Sequence, residues 1–281
     1  MVRRCQCDFM IEQREIRAEI ATASLPRLRR RAWSIMKRPV AAVDRRLKRT
    51  LLGTIIGVET NRKVASLTFD DGPDPKFTPK ILDVLARYEA RATFFIVGQS
   101  ARKHPKLVEE IVCRGHAIGN HTWNHRSLPS LTRSERHEQI ISAQRAMNSF
   151  GQKLMRPPFG HLNAAARFDA TLCGYKVVTW TLAVHDWENR TAQSMAECVQ
   201  RNMKPGNIIL FHDSIFCDWS EDEPAHYDRS NTIAALEIIL ERFKSQYRFV
   251  TVPELLRAGK PVKRYWKVET SEDWKSLAYR W

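Results

Sequence analysis

From residue 64 onward, short apolar segments alternate with amphipathic ones, and this alternation limits the fold more than any other feature of the chain. The apolar segments have the length and composition of strands: 64–69, 92–97, 117–120, 175–181, 207–211 and 249–252. The segments between them have the apolar spacing of helices: 78–88, 105–113, 132–150, 191–203 and 231–243. Continuously apolar strands are typical of a sheet that is buried on both faces, so the pattern predicts βα units around a parallel sheet. About seven such units predict an α/β barrel, open or closed.

The positive charge is concentrated before this alternation begins. The 281-residue chain has a net charge of +15, and residues 1–63 carry 16 Lys and Arg against 6 Asp and Glu. We therefore divide the chain into a basic N-terminal extension, a domain and a C-terminal tail: 1–63, 64–258 and 259–281. The extension could make a peripheral contact with anionic lipid, or it could be a packed or poorly ordered helical extension. We expect no nucleic-acid partner, and we expect the apolar run 51–58 to be buried.

The first residues of the chain lack the apolar core of a secretory signal, and no run of 18 apolar residues could span a membrane. The six cysteines are therefore expected to stay reduced, as in cytoplasmic proteins. We assign no catalytic role to cysteine and expect a cytoplasmic location.

Two adjacent carboxylates, Asp70 and Asp71, end the first strand, and Gly72 and Pro73 stop it. Strand ends are the usual place for catalytic groups in α/β folds. Neighbouring like charges repel, and a metal ion would relieve the repulsion by taking one carboxylate as a ligand and leaving the other as a base. The alternative is a solvated turn, because Asp-Asp-Gly-Pro also suits turn formation.

Two histidines follow the strand predicted over 117–120. If the segment is helical, His121 and His125 face the same side and could share one metal ion. Two histidines and one carboxylate are a familiar ligand set for a catalytic zinc with an open coordination position. Such a pair also arises by chance, and its place after a strand, like that of the two aspartates, gives it weight.

Further polar residues follow the later strands. Arg156 could reach a carboxylate, and two histidines each have an aspartate beside them, at 185–186 and 212–213. A histidine that is oriented by an aspartate could act as a general acid. Each group alone could be a satisfied structural pair, but five groups at the strand ends of one domain indicate one active site.

In their order and spacing, these motifs resemble those of the polysaccharide deacetylase family, the NodB-homology domain of carbohydrate esterase family 4. The resemblance covers about residues 64–258 and rests on five motifs: 68–73, 121–125, 156–160, 186–187 and 209–213. It implies a distorted (β/α) barrel, often with about seven strands. It also implies an enzyme that removes N-acetyl groups from the sugars of a glycan.

The resemblance implies the ligands of a metal site. Asp71, His121 and His125 would hold a divalent metal ion, usually zinc. Asp70 would be the general base that acts on the metal-bound water, and Arg156 would hold that base or the loop beside it.

The same resemblance assigns the groups around the substrate. His212 would be the general acid with Asp186 as its partner, and the backbone N–H of Phe159 would help to stabilise the oxyanion. Trp187 and Leu210 would line the pocket for the acetyl methyl group.

The chain departs from the family pattern in a few places. Ala183 stands where many members have an aspartate, which we interpret as the loss of a supporting group, and Phe159 replaces the usual tyrosine. Arg91 lies where some members place an arginine beside the base. The acidic loop 214–230 is longer than the family's minimum and should shape substrate choice, unless it is only a solvated loop.

The sequence therefore predicts a metal-dependent N-deacetylase of a chitin-like or peptidoglycan-type glycan. One alternative is a related enzyme on the same barrel, such as an O-acetyl esterase or another C–N hydrolase. The other is a non-catalytic protein that binds a glycan or an anionic partner.

Overall fold

A computed structural model describes residues 53–188, 190–216 and 228–268. The strands within these residues are β1 (Thr54–Glu59), β2 (Val64–Asp70), β3 (Ala92–Ile96), β4 (Ala117–Asn120), β5 (Gly151–Met155), β6 (Lys176–Val177), β7 (Leu182–Ala183), β8 (Ile208–His212), β9 (Arg248–Phe249) and β10 (Lys260–Arg264). The α-helices are α1 (Thr78–Arg87), α2 (Gly98–Lys103), α3 (Pro105–Cys113), α4 (Arg133–Ala146), α5 (Ala164–Leu172), α6 (Ala192–Asn202), α7 (Ser230–Phe243) and α8 (Val252–Arg257).

Seven of these strands form one curled parallel sheet in the order β6-β5-β4-β3-β2-β8-β7. Strand β9 pairs in parallel with the first residues of β2. Helices connect most successive strands of this sheet, as expected for parallel pairing, which needs a crossover connection, while residues 178–181 join β6 to β7 without a helix. The predicted α/β architecture, a distorted barrel of about seven strands, is confirmed as a half-barrel.

Three predicted segments differ from the structure by more than one residue at an end. The helix predicted over 132–150 ends at Ala146, because Asn148 takes a left-handed backbone conformation (φ 51°) and the chain then extends into β5. The strand predicted over 175–181 is reduced to the two residues of β6. The last predicted strand, 249–252, ends with β9, and its final residue starts α8 at a Thr–Glu capping box.

Strand β2 is apolar on one face and polar on the other. Phe69 belongs to the main core and stacks on Phe94 with 5.0 Å between ring centroids. Thr68 and Asp70 alternate with it and contact Arg156 inside the barrel. The centre of the sheet therefore directs polar groups toward the barrel interior, although its sequence reads as apolar.

Strands β1 and β10 form a separate antiparallel pair, and both lie outside the predicted domain boundaries. Ile55 and Val58 of β1 are buried and pack with Phe95 and Ile208 of the barrel. The predicted burial of the apolar run 51–58 therefore holds for its residues in β1. The rest of the basic extension, residues 1–52, lies outside the described residues.

No helix within the described ranges is both long enough and apolar enough to cross a membrane. Cys113 and Cys173 are free thiols, and Cys198 Sγ lies 3.9 Å from the Ala183 carbonyl oxygen. The other three cysteines lie outside the described residues.

Candidate active site

Polar side chains from several strands meet at the carboxyl end of the parallel sheet. Asp70 ends β2 and is the register partner of His212, which ends β8. Asn120 ends β4, and Arg156 follows the last residue of β5. Parallel strands end at the same edge of a sheet, so residues that are distant in sequence become neighbours here.

Asp71, His121 and His125 form a buried cluster that could hold a metal ion. Asp71 Oδ1 lies 3.3 Å from His121 Nε2 and 3.1 Å from His125 Nε2. One ligand atom from each residue lies within 4.8 Å of the others. Burial would raise the pKa of Asp71, but the His125 and His121 imidazoles, in their protonated forms, hold this pKa well below its usual range. The Asp71 carboxylate is therefore ionised at neutral pH.

The hydrogen bonds around the cluster show that these residues fit a cation. His121 Nδ1 lies 2.8 Å from the Arg156 carbonyl oxygen, which can only accept, so Nδ1 carries a proton. In a neutral imidazole, His121 Nε2 then presents a lone pair to Asp71 Oδ1, a buried oxygen that accepts no hydrogen bond. A metal ion that took both atoms as ligands would remove the repulsion between their lone pairs. Donation from the other ring nitrogen to a carbonyl is typical of metal-bound histidine.

His121 and His125 come together through an irregular loop, so the helical condition under which the sequence placed them on one side is not met. The backbone is left-handed at Thr122 (φ 68°) and His125 (φ 60°). The Asn120 side chain accepts a hydrogen bond from the Thr122 N–H at 2.8 Å. Gln139 Oε1 accepts from the next two backbone N–H groups at 3.1 and 3.2 Å. Two side chains outside the motif therefore shape the loop that joins the histidines.

Left-handed backbone conformations are concentrated around the cluster. Five of the seven described non-glycine residues with positive φ are Asp71, Thr122, His125, Phe159 and His185. A β-branched residue such as Thr122 adopts this conformation at a cost of about 1–3 kcal/mol. Such strain persists where the surrounding structure imposes it, and it is most frequent at functional sites.

Arg156 holds the Asp70 carboxylate inside the barrel. Its NH1 group donates to Asp70 Oδ1 at 2.7 Å and to Thr68 Oγ1 at 2.8 Å, and its NH2 group donates to the Thr179 carbonyl oxygen at 2.9 Å. The second carboxylate oxygen, Asp70 Oδ2, lies 3.8 Å from His121 Nε2. Asp70 therefore has one oxygen held by Arg156 and the other directed toward the metal-binding cluster.

His212 is paired with Asp186 by two contacts. His212 Nδ1 lies 2.7 Å from Asp186 Oδ1, and the His212 backbone N–H donates to Asp186 Oδ2 at 2.8 Å. Burial lowers the pKa of His212, but the carboxylates of Asp186, Asp71 and Asp70 outweigh this effect and raise it to about 9. The imidazole is therefore protonated at neutral pH and can donate a proton from Nε2.

The histidine–aspartate pairs that are adjacent in sequence are not the pairs in the structure. Asp186 binds His212 rather than its neighbour His185. Asp213 instead accepts a hydrogen bond from the Gly72 N–H at 3.2 Å. A Cβ at position 72 would lie 2.1 Å from Asp213 Oδ2, so this close approach requires glycine after the two aspartates.

Aromatic rings lie on both sides of the site. Phe159 is 46% exposed, and its ring meets that of His125 edge-on with 4.4 Å between centroids. Trp187 is 38% exposed and meets His212 edge-on at 5.3 Å. Leu210 is buried two residues before His212 on β8, on the same face of the strand.

The ten residues predicted for the site all lie at this end of the sheet. They are Asp70, Asp71, His121, His125, Arg156, Phe159, Asp186, Trp187, Leu210 and His212. Arg91 lies at the other end of the sheet, where it pairs with Glu254 at 2.7 Å. Its expected place beside the base is wrong, because it precedes β3 and the amino ends of parallel strands lie at the opposite edge.

Phe216 is a site residue that the motifs did not indicate. Its backbone N–H donates to Asp71 Oδ2 at 3.0 Å, and its ring lies 6.2 Å from that of His125. The first residues of the acidic loop therefore reach the metal-binding cluster, while residues 217–227 lie outside the described residues. The sequence could not have indicated this contact, because Phe216 makes it through its backbone N–H, which almost every residue type possesses.

Known proteins resemble this chain over most of the described region. The polysaccharide deacetylase family model matches residues 57–178. A peptidoglycan-N-acetylglucosamine deacetylase of Bacillus cereus is 40% identical over 205 residues, which cover 71% of this chain and 91% of that protein. A chitooligosaccharide deacetylase of Sinorhizobium fredii is 34% identical over 178 residues, covering 62% of this chain and 82% of that protein.

The same likeness holds in three dimensions. A crystal structure of a peptidoglycan N-acetylglucosamine deacetylase in complex with 4-naphthalen-1-yl-N-oxidanyl-benzamide aligns with a TM-score of 0.65 at 34% identity. The alignment covers 74% of this chain and 94% of that one. The match to the family model includes the cluster of Asp71 and the two histidines, whereas Asp186 and His212 lie beyond it.

Proposed function

Since the chain belongs to the polysaccharide deacetylase family, we propose that Asp71, His121 and His125 hold a zinc ion at which N-acetyl groups are removed from a glycan. One observation carries the proposal: the buried Asp/His/His cluster shares the carboxyl end of the sheet with a carboxylate held by Arg156 and an imidazole held by Asp186. Two imidazoles and one carboxylate suit zinc and leave a coordination position open. When bound, zinc would polarise the amide carbonyl and increase the acidity of water.

Asp70 is proposed as the general base. Arg156 fixes its Oδ1 atom, so the second oxygen can take a proton from the attacking water. The oxygen of that water forms the new bond to the carbonyl carbon. Without the contact to Arg156, the buried carboxylate would be free to turn away from the reacting water.

His212 is proposed as the general acid. The C–N bond breaks only if the departing nitrogen gains a proton, and protonated His212 supplies it from Nε2. Asp186 at 2.7 Å from Nδ1 keeps the proton on that nitrogen and orients the ring. The products are acetate and a free amine on the sugar.

The remaining site residues are proposed to bind the acyl group. The Phe159 backbone N–H would help to stabilise the oxyanion, since a hydrogen-bond donor is strongest where negative charge develops. Trp187 lies beside His212 and would form the pocket for the acetyl methyl group together with Leu210. Apolar side chains favour a methyl group and exclude water from the bond that breaks.

The proposed substrate is an N-acetylglucosamine unit within a glycan of peptidoglycan or chitooligosaccharide type. The relatives named above act on these two classes, and this chain shares with them the region that contains the cluster. The exposed Phe159 and Trp187 rings can pack on the apolar faces of sugar rings.

Two further proposals concern the whole chain. The basic segment 1–63 would contact anionic lipid at a membrane surface, and the protein would lie in the cytoplasm. Fractionation of cells that express the full chain, with and without a high-salt wash, tests both. Release of the protein from the membrane fraction by the high-salt wash, and retention without that wash, would support the lipid contact.

Acetate release from a panel of glycans tests the proposed function. The panel contains N-acetylglucosamine oligosaccharides, peptidoglycan fragments and O-acetylated glycans, each with and without a chelator. We expect acetate from the N-acetylated substrates, loss of activity with the chelator and recovery with added zinc. Release from O-acetylated glycans alone would contradict N-deacetylation, and full activity in the presence of chelator would contradict the metal site.

A further inference from the structure

Asp186 has more contacts than its pairing with His212 requires. Its side chain is fully buried, and Oδ2 accepts a hydrogen bond from the Thr232 hydroxyl at 3.2 Å in addition to the one from the His212 backbone. The Asp186 backbone carbonyl accepts a hydrogen bond from Arg229 NH1 at 2.9 Å. Helix α7 and its N-cap residue, which belong to none of the five motifs, therefore hold both the side chain and the backbone of Asp186.

Both contacting residues are buried at the start of α7. Arg229 is the N-cap residue and Thr232 lies in the first turn, and neither is more than 3% exposed. Burial of a guanidinium is costly unless it is paired, and the Asp186 carbonyl oxygen is one of the partners of Arg229. A buried hydroxyl likewise needs a partner, and Thr232 finds it at a carboxylate.

We infer that Thr232 and Arg229 are positioning residues that hold Asp186 in the orientation that His212 requires. The inference rests on the proposed role of His212 as the general acid. A carboxylate can rotate about two side-chain bonds, and two donors on Oδ2 leave Oδ1 directed at His212 Nδ1. One of these donors comes from β8 and the other from α7, so the orientation depends on the packing of the helix against the sheet.

Thr232→Val tests the hydroxyl, because valine keeps the shape and removes the donor. We expect kcat on an N-acetylated oligosaccharide to fall about three- to tenfold, the usual net effect of one hydrogen bond. KM and zinc content should not change, since neither the acyl pocket nor the metal ligands are touched. Thr232→Ser should restore kcat because it keeps the hydroxyl.

Ser230→Ala is the matched control. Ser230 also begins α7, but its hydroxyl donates to Asp228 Oδ1 at 2.6 Å and makes no contact with Asp186. This variant should keep the kcat of the unchanged protein. An equal loss in Ser230→Ala and Thr232→Val would overturn the inference, because it would show a general effect at the start of the helix.

Two measurements separate positioning from a purely structural role. An aryl acetate has a leaving group that needs no proton, so Thr232→Val should hydrolyse it at the unchanged rate. In a His212→Ala background, Thr232→Val should have no additional effect on the amide substrate. A loss on the aryl acetate, or an additive loss in the double variant, would overturn the inference.

Nuclear magnetic resonance of the His212 ring keeps this test independent of the proposed function. If no N-acetylated glycan is a substrate, the proposed function fails, but the proton on Nδ1 can still be followed. Exchange of this proton with water that is at least severalfold faster in Thr232→Val, and unchanged in Ser230→Ala, would support the inference. Equal exchange in all three proteins would overturn it.

Discussion

Asp70 and His212 occupy directly paired positions on the adjacent parallel strands β2 and β8. Neighbouring strands lie about 4.8 Å apart, so the sheet itself sets the separation of these two backbones. Arg156 then orients the Asp70 carboxylate, and Asp186 orients the His212 ring. The proposed base and acid are therefore placed by strand register, and side-chain contacts only complete their orientation.

Asp70→Asn and Asp71→Asn should separate the two neighbouring carboxylates. Asp71→Asn should lower zinc content, because a neutral amide is a weaker ligand for a dication. Asp70→Asn should keep zinc and lower kcat by about 10²–10⁴, since an amide cannot accept the proton of water. Zinc analysis and acetate release on both variants give the answer. Equal loss of zinc in both variants would mean that the two carboxylates act together as ligands.

His212→Ala should lower kcat on amide substrates by about 10²–10⁴, the usual contribution of a positioned acid. Asp186→Asn should act in the same direction, because it removes the partner that holds the proton on Nδ1. Steady-state kinetics on an N-acetylated oligosaccharide measure both effects. Normal turnover in His212→Ala would exclude it as the acid.

The alkaline limit of activity should follow the deprotonation of His212. Its pKa is raised from 6.5 to about 9 when burial is outweighed by Asp186, Asp71 and Asp70. A bound zinc ion would offset the part of this rise that comes from Asp71 and Asp70. We therefore expect kcat to fall as pH rises through a value between 6.5 and about 9. Asp186→Asn should move the fall to lower pH. An alkaline limit that does not move in this variant would refute the assignment.

Strand β1 should be required for stability. The sequence predicts that a chain beginning near Arg62 keeps its metal and its activity on small soluble oligosaccharides, but that chain lacks Ile55, which is buried against the barrel. Ile55→Ala should lower the free energy of unfolding by about 2–4 kcal/mol through loss of packing. Glu59→Ala, at an exposed position of the same strand, is the matched control and should change it little. Urea denaturation measures both, and full stability of the chain from Arg62 would show that β1 is dispensable.

The protein should lose stability in mild acid through His116. Burial, with Arg114 and Arg91 nearby, lowers the pKa of His116 from 6.5 to about 4. Because the pKa of His116 is lower in the folded protein, His116 of the unfolded chain takes up its proton at a higher pH as the solution is acidified. The stability present above pH 6.5 is therefore lost as pH falls toward 4, by at most about 3 kcal/mol. His116→Asn keeps an acceptor for the Ala92 N–H and should show a smaller loss. His137→Asn, at an exposed position, should retain the full acid dependence.

The sequence by itself determined the sheet and the place of the site. The apolar segments predicted parallel strands, and the polar residues that follow them predicted one site, because the ends of parallel strands share an edge. The residue types also determined which chemistry is available: carboxylates and imidazoles for a metal ion, and further ones for proton transfer.

Only the tertiary structure decided which of these groups contact each other. Asp186 binds His212, although Asp213 is the sequence neighbour, because β7 and β8 are paired and Asp213 is used at Gly72. Only the tertiary structure decided that strand β1 packs on the barrel, that Phe216 donates to Asp71 and that Thr232 donates to Asp186. Hydrogen-bond partners depend on strand order, register and helix packing. These are long-range properties, and no local pattern of residue types specifies them.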